Sequence, residues 1–130
     1  MSRGTKFNQG KPRMSLIPAA PMRAIAMVLN YGEKKYHAYN WAMGIPFSDL
    51  LDACERHIGY FKDGENLDKE SGLHHIAHAA FYMIAILWFM FRDQKELDDR
   101  YIKDDNGWGN DFNVPMNEPK QTMADGGSVK

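Results

Sequence analysis

The chain has 130 residues, 44% hydrophobic and 12% aromatic, which is enough for one domain with an apolar core. Sixteen basic against seventeen acidic residues leave a net charge of -1, which excludes a protein that coats nucleic acid by bulk charge, so no nucleic-acid polymer is expected as partner. The single cysteine, Cys54, excludes an internal disulfide and points to a reducing compartment, the cytoplasm.

Residues 1–14 read as a basic extended arm, with Lys6, Lys11 and Arg13 around an Asn-Gln-Gly turn and no unbroken apolar stretch that would make a secretory signal. Residues 15–103 then read as an all-α domain and residues 104–130 as a polar, flexible tail. Pro21 opens a first helix whose stripe of Met22, Ile25, Val28 and Leu29 ends before Gly32. Residues 33–39 add a short helical turn, and YNWAMGIP makes a loop. Ser48 is the expected N-cap of a second helix, with Phe47 before it and Leu50, Leu51, Cys54, Ile58 and Phe61 at helical spacing up to about Lys62. A third helix is expected over residues 71–92. Its apolar residues go all the way round, so it must be enclosed, and Phe81, Ile84 and Trp88 are expected to bury against a second copy in a homo-oligomer, a dimer or tetramer. The apolar run 76–91 is shorter than the roughly 20 residues that span a bilayer and carries His78, so no membrane partner is expected.

The stretch RHIGYFKDGENLDKESGLHHIAHA concentrates four of the five histidines beside a cluster of carboxylates. His57 lies about one turn before the break at Asp63-Gly64, and His75 and His78 about one turn into the next helix. In an antiparallel hairpin the three come level, with the acidic linker over them. Glu65, Asp68 and Glu70 can thus share one pocket with His57, His75 and His78, a mixed oxygen and nitrogen set suited to a divalent cation. Against that stands the ordinary role of acidic residues before a helix, which complement its positive end; this applies most to Glu70. Asp52 and Glu55 share a face opposite the apolar one, bordered by Arg56, which either binds phosphate or pairs with Asp52. His74 reads as a rim residue.

Lys11, Arg13 and Lys35 offer charges for a polyphosphate, and Tyr36, Asn40 and Trp41 offer stacking rings and an amide able to read a base edge. No GxxxxGK[ST] or GxGxxG phosphate loop is present, and no histidine is followed by aspartate, which disfavours chemistry of the HD phosphohydrolase type.

The ordered segments GKPRMSLIP, YGEKKY, NW, LLDACERH and DGENLDKESGLHHIAHA resemble the phage-encoded dATP/dGTP diphosphohydrolases, in the region named as their N-terminal domain, over residues 6–87. That family is similar in turn to the MazG-type all-α nucleoside triphosphate pyrophosphohydrolases. The resemblance implies a helical hairpin or bundle of three to four helices that assembles into an oligomeric four-helix-type bundle. It implies hydrolysis of purine deoxynucleoside triphosphates to monophosphate and pyrophosphate with Mg²⁺ or Mn²⁺, in the cytoplasm of an infected host cell if phage-encoded. Glu65, Asp68, His75, His78 and Asp52 are the candidate metal ligands, His57, Glu65, His75 and His78 the candidate catalytic residues, and Glu65 or His57 the candidate general base. Lys11, Arg13, Lys35, Tyr36, Asn40, Trp41 and Arg56 are the candidate nucleotide contacts. MazG-type enzymes carry acidic residues where this chain has His75 and His78. Either the cation moves to Glu65, Asp68 and Asp52 with the histidines on phosphate, or the site takes an ion that accepts imidazole, such as Mn²⁺. The competing reading is a non-catalytic helical dimer that engages a phage or host protein.

Overall fold

A computed structural model describes residues 2–101, in two units: residues 2–16 and residues 17–101. The expected tail, 104–130, lies outside the described residues. The first unit holds the turn Asn8–Lys11, closed by Lys11 N–H to Asn8 C=O at 3.0 Å with Gly10 at φ +79°, and a single 3-10 turn, Met14–Leu16.

The second unit is all helical. Among the described residues the only β-type pairing is an isolated bridge between Leu67 and His74. Helix α1 spans Ala19–Lys35, with Pro21 in its first turn, where the missing amide hydrogen costs no helical bond. The helix does not stop at Gly32, as expected from the sequence, and residues 33–39 form no separate helical turn. A glycine inside a helix costs about 1 kcal/mol, and the last turn recovers it: Lys34 and Lys35 sit at the negative end of the helix, and Lys35 is tied to Glu70. Tyr39, in the left-handed region at φ 61°, leads into a 3-10 turn, Asn40–Met43, and Gly44 at φ 119° leads out of it.

Helix α2 spans Phe47–Lys62 and begins one residue before the expected Ser48 cap. Pro46 occupies the cap position and has no side chain to offer the free amides. A carboxylate from the other end of the unit replaces it: Asp99 accepts from Ser48 N–H at 2.8 Å and from the Ser48 hydroxyl at 2.5 Å, a capping bond worth about 1 kcal/mol. Helix α3 spans His75–Phe91, starting four residues later than expected. Residues 66–74 are held in a closed loop instead, by Asp68 N–H to Leu73 C=O and Gly72 N–H to Asp68 C=O, both at 2.7 Å, and by His75 N–H to Asn66 C=O at 3.0 Å. Gly72, at φ +74°, supplies the turn that a helix starting at Ser71 would not allow.

α2 and α3 form an antiparallel hairpin, since His57 meets His75, Cys54 bonds the carbonyl of Ala79, and Phe47 and Leu50 pack with Ala85 and Phe89. The hairpin therefore has two ends. At the open end Phe47, Leu50, Ala85 and Phe89 form the fully buried core, flanked by Trp41, Ile45, Phe81 and Leu97. At the closed end, under the loop, the buried polar side chains are His75 and His78. Phe81, expected at a contact with a second copy, is half-buried and packs on Trp41 at 5.6 Å within the chain. Ile84 and Trp88 remain exposed, in one stripe with Ile76, Met83 and Leu87. After α3 the chain makes a 3-10 turn, Lys95–Leu97, and reaches buried Asp98, which accepts from Arg100 Nε at 2.7 Å while the guanidinium lies over Phe47. No helix among the described residues is long and apolar enough to cross a membrane.

Candidate active site

The break at Asp63-Gly64 ends α2 one turn and a half after His57, and the loop returns the chain so that α3 begins at His75, whose ring is completely buried. Each ring then has one orientation open to it. His57 lies flat on His78 at 4.4 Å with planes 4° apart, Tyr60 stacks on His75 at 5.1 Å, and Tyr31 meets His78 edge-on at 6.2 Å.

Donors and acceptors assign the protons. Glu65 only accepts, so the 2.6 Å contact to His75 Nε2 places a hydrogen on that nitrogen. With a single hydrogen on its ring, His75 has its lone pair at Nδ1, and the 2.8 Å contact to His57 Nδ1 is then one that His57 donates. The Ser71 hydroxyl donates to Asp68 Oδ2 at 2.8 Å and accepts from Leu73 N–H at 3.2 Å, so His78 Nε2, 2.8 Å away, must also donate to it. His78 keeps Nδ1 as a proton acceptor. Asp68 also takes Ser71 N–H at 2.8 Å.

Electrostatics favour the neutral form of His57 and His78 and the ionised form of Glu65 and Asp68. Burial, helped by the neighbouring His78 and His75 and opposed by Asp68, lowers the His57 pKa from 6.5 to about 4. Burial also lowers His78, against the pull of Asp68. The hydrogen bond from His75 holds Glu65 below the usual carboxylate range, with Lys69 at 3.6 Å adding to it. Burial alone would raise Asp68, but the hydroxyl and amide of Ser71 and the adjacent imidazoles bring it below its ordinary value.

These shifts set a sign for acid sensitivity. Below pH 6.5 an unfolded chain protonates His57 while the folded one does not until about pH 4, so stability falls as pH drops through that window. Because His57 is only half-buried, solvent screening discounts the full shift, and the loss is about 1–2 kcal/mol. The depressed carboxylates act in the same direction below about pH 5. In EDTA the melting temperature is expected to be clearly lower at pH 4.5 than at pH 7, and equal values would contradict the neutral, buried assignment of His57.

Beside the cluster a cleft of about 600 Å³ opens between the end of α1, the turn after it and α3. His78 and Tyr82 form one wall; Lys35, Tyr36, Asn40 and Trp41 line it from the other elements. Four of the residues expected to contact a nucleotide are thus together, next to the histidines. Trp41 is edge-on to Phe81, Trp88 and Phe89 and is anchored in the core, whereas Tyr36 is exposed. The other candidates lie elsewhere: Lys11 and Arg13 are exposed in the first unit, and Asp52 and Arg56 are exposed on α2, outside the cleft lining. Exposed His74 precedes α3.

Sequence reasoning passed over Ser71, Tyr31 and Tyr60, and read Glu70 as a cap. Glu70 instead accepts hydrogen bonds from Tyr31 and, at 2.8 Å, from Lys35, clamping α1 to the loop that carries Asp68 and Ser71. The spacing of Tyr31 and Lys35, one helical turn apart, was the available signal.

The atoms most nearly placed to share a cation are one each from His57, Asp68 and His75, all within 4.8 Å of one another. Glu65 approaches His75 from the far side, at Nε2.

The chain is 40% identical over 105 residues to a protein of Salmonella phage PMBT28 named dATP/dGTP diphosphohydrolase; the match takes in 81% of this chain and 33% of that one. The chain therefore spans about a third of the length of the curated relative it matches. No solved structure matches it. The profile of the family described as dATP/dGTP diphosphohydrolase, N-terminal, matches residues 1–100, the stretch that carries the histidine hairpin and the cleft beside it, and the chain belongs to that family.

Proposed function

We propose that this chain hydrolyses the purine deoxynucleoside triphosphates dATP and dGTP to the monophosphate and pyrophosphate, with a divalent cation, Mg²⁺ or Mn²⁺, as cofactor. The name of the phage relative supports nucleotide hydrolysis, and one observation carries the reading to this site: His78 belongs both to the hydrogen-bonded cluster and to the wall of the aromatic cleft. A cleft of about 600 Å³ is of the size that takes a nucleotide. Tyr36 offers a ring to the base and Asn40 an amide to its edge, while Lys35 supplies charge to the phosphates.

The donor set fits a cation, because His75 is held by Glu65 with Nδ1 unprotonated and Asp68 is ionised beside it. When bound, the cation supplies positive charge to the phosphate oxygens and makes a water molecule more acidic. The chain's own residues do the rest. His78, with its Nε2 hydrogen committed to Ser71, accepts a proton at Nδ1 from the attacking water and is a better base than Glu65, whose oxygens face His75 and Lys69. Lys35 neutralises the departing pyrophosphate once it leaves Glu70. The exposed stripe of Ile76, Met83, Ile84, Leu87 and Trp88 supports a homo-oligomer, dimer or tetramer. The same stripe is what favours the second reading, a helical module that engages another protein without catalysis.

The deciding experiment incubates the purified full chain with dATP and dGTP and either Mg²⁺ or Mn²⁺. Release of dAMP or dGMP with pyrophosphate is expected. Orthophosphate with a diphosphate product, or no turnover with any pairing, overturns the proposal.

A further inference from the structure

The closed end of the hairpin holds an arrangement that hydrogen bonding alone does not require. Two imidazole nitrogens, His57 Nδ1 and His75 Nδ1, face each other at 2.8 Å, and one ligand atom each from His57, His75 and Asp68 lie within 4.8 Å of one another. We propose that these three side chains form a site for a first-row transition ion of the Mn²⁺ class, with marked preference over Mg²⁺, and that Glu65 is its positioning residue. The inference deepens the proposed reaction by naming the ion and its holders, and rests on that reading for the ion's use but not for its binding.

Four features carry it. The donor chemistry comes first: two imidazoles and one carboxylate suit ions that accept nitrogen, whereas Mg²⁺ is held by oxygen and gives up its water reluctantly. Spacing comes second. Two nitrogens on one ion at about 2.1 Å stand about 3.0–3.4 Å apart, depending on the angle between them, so the observed pair has to open by only a few tenths of an ångström. Third, the ring of His75 is set from behind by Glu65 at 2.6 Å, the carboxylate–histidine pairing that orients metal-binding imidazoles and fixes their tautomer. Asp68 is set in the same way, since among the described residues every side-chain hydrogen bond it makes falls on Oδ2, from the amide and hydroxyl of Ser71. Oδ1 takes neither of these bonds. Fourth, both rings are stacked on a neighbour, His75 on Tyr60 and His57 on His78, which favours the orientation they have.

Occupancy asks for one internal change. The hydrogen that His57 now shares with His75 moves to His57 Nε2, so that both Nδ1 lone pairs face the ion and no net proton is released. Three protein ligands leave coordination positions for water or a phosphate oxygen, as open sites do.

The test uses the full chain, stripped with EDTA and dialysed against Mn²⁺ or Mg²⁺. One Mn²⁺ per chain is expected, with Mg²⁺ competing at least about 100-fold more weakly. The electron-spin-echo spectrum of bound Mn²⁺ is expected to show modulation from directly bound nitrogen. H57Q and D68N, checked for helicity, should lose uptake, and E65Q should bind about 10–100-fold more weakly. Absence of bound Mn²⁺, absence of nitrogen modulation in the native chain, or uptake unchanged in folded H57Q and D68N overturns the site. Retained Mn²⁺ uptake without nucleotide turnover would remove the proposed reaction and leave this site standing. Turnover with Mg²⁺ in a chain whose imidazoles take up no ion would do the reverse.

Discussion

Replacing His75 and His78 together by alanine is expected to abolish nucleotide turnover, by at least about a thousandfold in kcat/KM, with the helical circular dichroism retained. The two rings sit on the same face of α3 and join the parts of the site: His75 links His57 to Glu65, and His78 links Ser71 to the cleft. Their removal takes away an orienting contact and a proton acceptor at once, and general-base loss alone accounts for about 10²–10⁴-fold. Alanine is the best helix former, so the first two turns of α3 should survive. Each single variant should show most of the loss, because groups that act as one unit are not additive. Full activity in the folded double variant would remove the cluster from the chemistry and the proposed reaction with it.

The second large effect lies at the other end of the hairpin. Phe89→Ala is expected to destabilise the protein by about 3–5 kcal/mol, since Phe89 is wholly buried among Phe47, Leu50 and Ala85 and meets the Trp41 ring at 6.1 Å. In a domain of this size that lowers the melting temperature by at least about 12 °C, measured at one fixed protein concentration. Met83→Ala, on the exposed stripe of the same helix, should cost under about 1 kcal/mol in a monomer. A drop below about 3 °C for Phe89→Ala would mean that the cooperative core lies elsewhere.

The contrast between the two ends explains what could be read from residues alone. α2 and α3 were legible because Leu50, Cys54, Ile58 and the run from Ile76 repeat at helical spacing, and periodicity is a local property. The meeting of His57 with His75 and His78 followed from the same periodicity plus a short break. Local signals failed where a distant residue decided the outcome. Gly32 looked like a stop, but a helix end is set by what holds the next turn, and here Lys35 is held by Glu70, 35 residues on. Ser48 looked like a cap, yet it receives one. Ser71 looked like the start of α3, but its hydroxyl is used by Asp68 and His78, and Gly72 bends the chain away. Which side of His75 each acid approaches was likewise beyond pattern: Glu65 and Asp68 are three residues apart and end on different parts of the cluster.

The carboxylate of Asp99 bonded to Ser48 spans 51 residues of chain and ties the stretch after α3 to the opening turn of α2, with Arg100 lying over Phe47 beside it. A fragment trimmed back to the last apolar residue of α3 would therefore keep every histidine and still fray at residue 47, the first residue of a helix that the cut never reaches. A piece meant to keep the opening turn of α2 has to reach at least Arg100, past the end of the greasy repeat.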